Sequence, residues 1–265
     1  AAIAILALAC EYTDASIAMG YGTTLTPLLL IIGFSPLEVV PAVLLGQLAG
    51  GLIGGLAHYR VGNISLDFRQ DDKLIKGRLR GLGYLHRSFD SKVIFILAVC
   101  GVIGALAVLY TTRAVSEVIL KSYIGVMVLG IGVVILIRRT HQGTFSWKGL
   151  IGVGLLSSFN KGISGGGYGP LVTGGQIISG RETRSSVGST TLAEAIVCIV
   201  GFLGYILVKG GIFWTLAAAT SIGSIIAAPF AAITVKKVNA EKLRFAIGLA
   251  TIILGALTLA KTFIF

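Results

Sequence analysis

Two glycine-rich segments interrupt apolar stretches of the chain, and both carry groups suited to holding an anion. The first is Gly20-Tyr21-Gly22-Thr23-Thr24-Leu25-Thr26-Pro27-Leu28-Leu29. The second, about 143 residues later, is Ile163-Ser164-Gly165-Gly166-Gly167-Tyr168-Gly169-Pro170-Leu171-Val172. Their glycines permit positive φ and close backbone approach. A half-helix starting just after such a loop aims free N–H groups and the positive end of its dipole at the loop, which makes an anion site without a charged side chain. Pro27 and Pro170 suit a first helical turn, where the missing N–H costs nothing. Tyr21, Thr23, Thr24, Thr26, Ser164 and Tyr168 add hydroxyl donors at the two tips, although each also suits a local backbone cap. The glycines equally suit tight packing, as in Gly46-x-x-x-Gly50-x-x-x-Gly54.

Few ionisable side chains lie within apolar sequence, so each is informative. Lys161 lies deep in the second segment, where it either meets the anion or snorkels to the membrane face. Asn160 beside it either orients the lysine and binds substrate or packs. Glu194 falls about 12 Å into its helix and reads either as a proton-coupling carboxylate or as an internal partner for Lys161. The candidate substrate-binding set is Tyr21, Gly22, Thr23, Thr24, Asn160, Lys161, Ser164, Gly165, Gly166, Gly167 and Tyr168. Glu194, Gln47 and Thr191 are the candidates for coupling. Glu11 and Asp14 are expected to face water in an extracytoplasmic vestibule, and His58 to be interfacial.

These residues must be positioned by membrane helices. The chain is 55% hydrophobic and 12% charged, with a mean hydropathy of +0.91, a polytopic membrane composition. Long apolar runs cover roughly 40–59, 93–109, 118–137, 187–207, 213–235 and 243–263, each able to cross a ~30 Å core. No basic n-region precedes the first apolar stretch, so no cleavable signal is expected. The net charge of +11 reflects basic loops rather than nucleic-acid binding. Cys10, Cys100 and Cys198 show no metal or disulfide spacing and read as small packed residues. No cofactor or metal is expected, and no nucleotide-binding motif supports ATP drive.

The halves align beyond the glycines. Ser35-Pro36-Leu37-Glu38 matches Ser179-Gly180-Arg181-Glu182, and Gln47 pairs with Thr191, so that Gly50 pairs with Glu194. The second arms of the broken segments, at 23–34 and 167–178, reach only ~18 Å. If both segments are re-entrant hairpins, the loops around 60–92, 138–148, 179–186 and 234–244 share one face and hold 17 of the 22 Lys and Arg. If the segments cross fully, the split falls to about 13 against 8. The positive-inside rule favours hairpins and places the basic loops in the cytoplasm. Three crossings per half then invert the second half relative to the first. The expected fold is an all-α polytopic membrane protein of two inverted repeats, each a re-entrant helical hairpin plus three transmembrane helices. The first repeat covers 1–148, with its hairpin at 1–34 and a cytoplasmic loop at 60–92. The second covers 149–265, with its hairpin at 149–178.

The doubled Gly-rich motif with Pro-Leu, the run Ser35-Pro36-Leu37-Glu38-Val39-Val40, the helix through Gly46–Ala57 and His58-Tyr59-Arg60-Val61-Gly62-Asn63-Ile64 resemble the sulfite exporter TauE/SafE family of anion transporters. The resemblance covers nearly the whole chain. It implies export of small sulfur-containing or carboxylate anions, such as sulfite or sulfoacetate, across a bacterial cytoplasmic membrane. Thr23 and Thr24 stand where that family more often has glycines. The partners implied are a small anionic substrate, the lipid bilayer and protons as a coupling ion, with no nucleic acid; a homo-oligomer is left open. Two rivals are kept. A passive anion channel would use the same half-helix dipoles without alternating access. An intramembrane serine protease would use Gly162-Ile163-Ser164-Gly165, but His58, His86 and His141 all precede that serine, and a protease leaves the doubled motif unexplained.

Overall fold

The structure is a computed structural model; it describes residues 1–18, 20–69, 87–111, 117–137, 145–164, 168–209 and 211–264. Every regular element among these residues is helical. Most of the cytoplasmic loop expected at 60–92 and the glycines Gly165, Gly166 and Gly167 lie outside them. Helix α1 (Ala2–Ile17) ends in a left-handed residue, Ala18 (φ 54°), followed by Gly20 (φ 125°). A π-helical turn over Tyr21–Leu25 then leads into the seven-residue α2 (Thr26–Ile32). Helices α3 (Pro36–Arg60), α4 (Phe89–Thr111) and α5 (Glu117–Ile137) complete the first half. The second half repeats the order: α6 (Trp147–Ser164), the 11-residue α7 (Tyr168–Ile178), α8 (Thr183–Lys209), α9 (Trp214–Lys237) and α10 (Ala240–Ile264).

Local sequence explains the helix starts. Ser35 and Glu38 form a capping box with Pro36 in the first turn of α3. Glu182 and Ser185 do the same work at α8 with the residues exchanged, Ser185 N donating to Glu182 Oε2 at 2.7 Å. These starts, Pro36 and Thr183, lie 147 positions apart. The register of α3 against α8 therefore differs from the alignment around Gln47 and Thr191, and it pairs Gln47 with Glu194.

Both broken segments fold back on themselves. A Cβ on Gly175 of α7 would meet Val153 of α6, and one on Gly149 would lie 3.1 Å from Ser179 Oγ, so α7 returns to the end where α6 began. In the first segment Ala7 and Cys10 of α1 share a core with Tyr21, Leu25 and Leu29. The longer helices pack pairwise: α3 on α9 and α8, α4 on α6 and α8, α1 on α9, and α5 on α10. Glycines set the close approaches. A Cβ on Gly51 of α3 would sit 2.8 Å from Ala195 Cβ of α8, and one on Gly255 of α10 would sit 2.6 Å from Leu129 N of α5.

The outside is apolar. Leu52, Leu56, Phe95, Ile103, Ile222, Phe230, Ile253 and Leu257 are all exposed, while the centre holds glutamates, serines and threonines. A large exposed apolar surface marks a membrane protein. Among the described residues, the helices over Leu37–Arg60, Thr183–Leu207 and Trp214–Lys237 are long and apolar enough to cross a bilayer.

Candidate functional site

Gln47 and Glu194 occupy the same place in paired helices, halfway along α3 and α8. Gln47 Nε2 donates to Glu194 Oε1 at 2.8 Å. Lys161, near the end of α6, reaches the same pair. Its Nζ donates to Glu194 Oε1 at 2.6 Å and to Gln47 Oε1 at 3.1 Å. Cys198, one turn beyond Glu194, donates its thiol to Gln47 Oε1 at 3.5 Å. The Tyr168 ring, at the first residue of α7, covers the ammonium with its centroid 5.6 Å from Nζ. Lys161 and Glu194 are buried, so each needs the other. The lysine does not snorkel: its ammonium is held inward by three elements at once.

Glu11 and Asp14 correct the expectation of a wet vestibule. They are only 1% and 6% exposed, and the charges of Glu194 and Lys161 act on both. The physical reason is the glycine face of α3. Gly50 leaves the space that the Glu11 carboxyl fills, and Gly46 leaves the space for the Tyr21 hydroxyl. Gly46 and Gly50 thus serve the packing of polar groups, while Gly54 faces the methyls of Thr191 and Ala228. Asp14 Oδ1 accepts the backbone N–H of Tyr21 at 3.1 Å, so this free donor of the first break already has a resident carboxylate. Tyr21 OH accepts from Ser224 Oγ at 2.9 Å and donates to Thr220 O at 3.4 Å, which pins the break to α9.

The other candidates divide. Thr24 is exposed, and Gly22 lies in the π turn, away from full burial. Thr191 is buried but donates to Val187 O within its own helix at 3.0 Å, with its methyl against Gly54. The side chains of Thr23, Asn160 and Ser164 lie outside the described residues, as do Gly165, Gly166 and Gly167. Tyr168 is fully buried, and its hydroxyl has no hydrogen-bond partner among the described residues. His58 is fully buried rather than interfacial. It accepts from Asn63 Nδ2 at Nδ1, 2.9 Å away, and its Nε2 lies 3.2 Å from Ala15 O, which ties α3 to α1. Glu11, Asp14 and Cys198 were not legible as one cluster. Their only sequence signal is the 147-residue register and the i, i+3 spacing of the two acids on one helical face.

A second polar network fixes the far end of α7. Arg181 donates to Asp90 Oδ1, to Gln176 Oε1 and, at 2.6 Å, to Ser189 Oγ. Its guanidinium also lies over Phe89, with the centroid 5.7 Å away. Burial pulls the Arg181 guanidinium below its ordinary value, and Asp90 opposes that pull. An apolar groove of about 440 Å³ beside Phe95, Val99 and Ile196 has no polar lining and suits hydrocarbon, not an anion.

A central polar cluster inside an apolar coat is a transporter's arrangement. The comparisons with known proteins agree. A probable membrane transporter of Bacillus subtilis (strain 168), YtnM, is 26% identical over 276 residues, covering 98% of this chain and 83% of its own length. No solved structure matches. The family model described as sulfite exporter TauE/SafE matches residues 78–258, across both halves, and the chain belongs to that family of membrane transporters.

Proposed function

We propose that the protein is a secondary transporter that exports small sulfur-containing anions, such as sulfite, a sulfonate or a related carboxylate, across the bacterial cytoplasmic membrane by alternating access. The observation that carries this reading is the place of Lys161. A buried ammonium stands at the break of a hairpin, capped by the Tyr168 ring and directly before the N-terminus of α7. Cation and helix N-terminus converge on one spot, which favours a small anion there. In sequence, Gly165, Gly166 and Gly167 lie between the two. Protons are the coupling ion in this reading, with Glu194 as their carrier and Gln47 holding it in place.

Inverted repeats are part of the proposal. Packing of the longer helices is matched when the halves are exchanged, although that of the short arms α2 and α7 is not: α1 on α9 answers α6 on α4, α3 on α9 answers α8 on α4, and α3–α8 and α5–α10 are paired with their own counterparts. Such an exchange symmetry supports two repeats about a central site and a rocking motion between them. Counterflow tests the reading. Proteoliposomes preloaded with unlabelled sulfoacetate should accumulate labelled sulfoacetate transiently. Uptake without stimulation from the opposite side would instead mark a channel.

A further inference from the structure

Three carboxylates are buried in the polar centre with one ammonium: Glu194 pairs with Lys161, and Glu11 and Asp14 lie on α1, which packs against α3 and α8. Glu11, Asp14 and Glu194 are 1%, 6% and 5% exposed, and Lys161 is 6% exposed. With all four ionised, two negative charges would stand uncompensated away from water. Burying charge without a partner is costly, so a proton is the simplest balance for the excess. A bound metal is the other way to balance them, but no group of three or more His, Cys, Asp or Glu among the described residues has the arrangement to hold one. Glu11 Oε2 supports the proton instead: it is buried and has no hydrogen-bond partner among the described residues. Among the described residues, the other ionisable groups around the cluster are Cys10, Tyr21, Cys198, Tyr168 and Cys100. None supplies a second positive charge.

The register between the halves sharpens this. Gln47 and Glu194 hold equivalent places in α3 and α8. The anion and the Glu194 carboxylate are competitors for the same ammonium.

We propose that Lys161 takes two partners in turn, Glu194 in the unloaded protein and the anion in the loaded one, and that the Glu11–Asp14–Glu194 group takes up one proton as each anion binds. This rests on the anion-site reading above. The Lys161 N–H contact to Glu194 breaks and one to the anion forms. An O–H bond forms on a carboxylate of the group, its proton drawn from solution on the open side. No bond within the anion changes. Anion and proton enter together and so move in the same direction; sulfoacetate, a dianion at neutral pH, then carries one net negative charge across with its proton.

Calorimetric titration of the full chain with sulfoacetate decides the matter, at about pH 7.5 in buffers of different protonation enthalpy. Sulfoacetate has no proton to exchange at that pH, so any proton taken up belongs to the protein. Close to one proton per anion is expected, with affinity falling about tenfold per pH unit between roughly pH 7 and 9. Glu194→Gln should bind with little proton uptake and a flat pH dependence. Sulfoacetate binding by the native chain without proton uptake overturns this inference and leaves the anion site standing. Absence of any binding overturns the anion site, and the inference with it. Infrared difference spectra of the native chain provide a check that needs no variant: the C=O band of a protonated carboxyl should grow as sulfoacetate is added, and an unchanged band overturns the coupling.

Discussion

Gly50 and Glu11 share one space: a Cβ built on Gly50 would sit 2.7 Å from both Cδ and Oε1 of Glu11 and 2.7 Å from Ser224 Cβ. Glu11 can be buried only because the facing residue of α3 has no side chain. Gly50→Ala should therefore expel the carboxyl and destabilise the protein by about 1–3 kcal/mol, as overpacking does. Gly130→Ala is the control, because nothing lies within 4 Å of the added methyl and the exposed helix gains up to about 1 kcal/mol. Thermal unfolding in detergent should separate the two in sign. An unchanged midpoint for Gly50→Ala would place Glu11 elsewhere.

The Lys161–Glu194 pair predicts a non-additive cycle. Removing one partner of a buried ion pair leaves the other charge bare and costs about 3–5 kcal/mol. Lys161→Gln and Glu194→Gln should each lose stability of that order, and the double variant much less than their sum. Lys161→Gln should also weaken anion binding by about 10–150-fold, the value of a lost charge-assisted hydrogen bond. Denaturant unfolding and calorimetry read the two effects separately. Additive stability losses would mean that the pair is not coupled.

Arg181 anchors the end of α7 to α4 through Asp90 and to α8 through Ser189. Arg181→Met fills the space without charge and strands the Asp90 carboxylate, so it should cost about 3–5 kcal/mol. Arg181→Met combined with Asp90→Leu should recover most of that loss. Hydrogen exchange should show the single variant opening first at Gln176–Arg181, and uniform loosening would count against a local anchor.

Topology is tested by labelling. A cysteine placed at Gln70, introduced into a chain with its three native cysteines replaced, should react only with reagent on the cytoplasmic side, and one at Lys209 only from outside. Reaction of both from one side would remove the hairpin arrangement and the inversion of the halves with it.

Much of this architecture was legible before the structure. The glycine tips with Pro27 and Pro170 mark the breaks, because they are local chemistry. The pairing of Gln47 with Glu194 was not legible. The prolines align the halves at 143 while the starts of α3 and α8 stand at 147, so one alignment read from the glycine tips does not carry through to the helices that follow. For Lys161 and Glu194, an internal pair was one of two readings, and only tertiary packing chooses between them. Hydropathy cannot tell a buried Glu11 from one facing a vestibule, since the space it fills is made by a glycine on another helix.

The two returning arms differ in what touches them. Ten of the 11 residues of α7 are buried, and Gly174 is closed over by Ile131 and Ile135 of α5. In α2, Ile31 and Ile32 are 81% and 59% exposed. The thickness and lateral pressure of the surrounding film therefore bear directly on the first arm and reach the second through the helices packed around it, α5, α6, α8 and α10. A thinner or stiffer bilayer loads the two halves unequally, so lipid composition is a mechanical input to one side of the molecule.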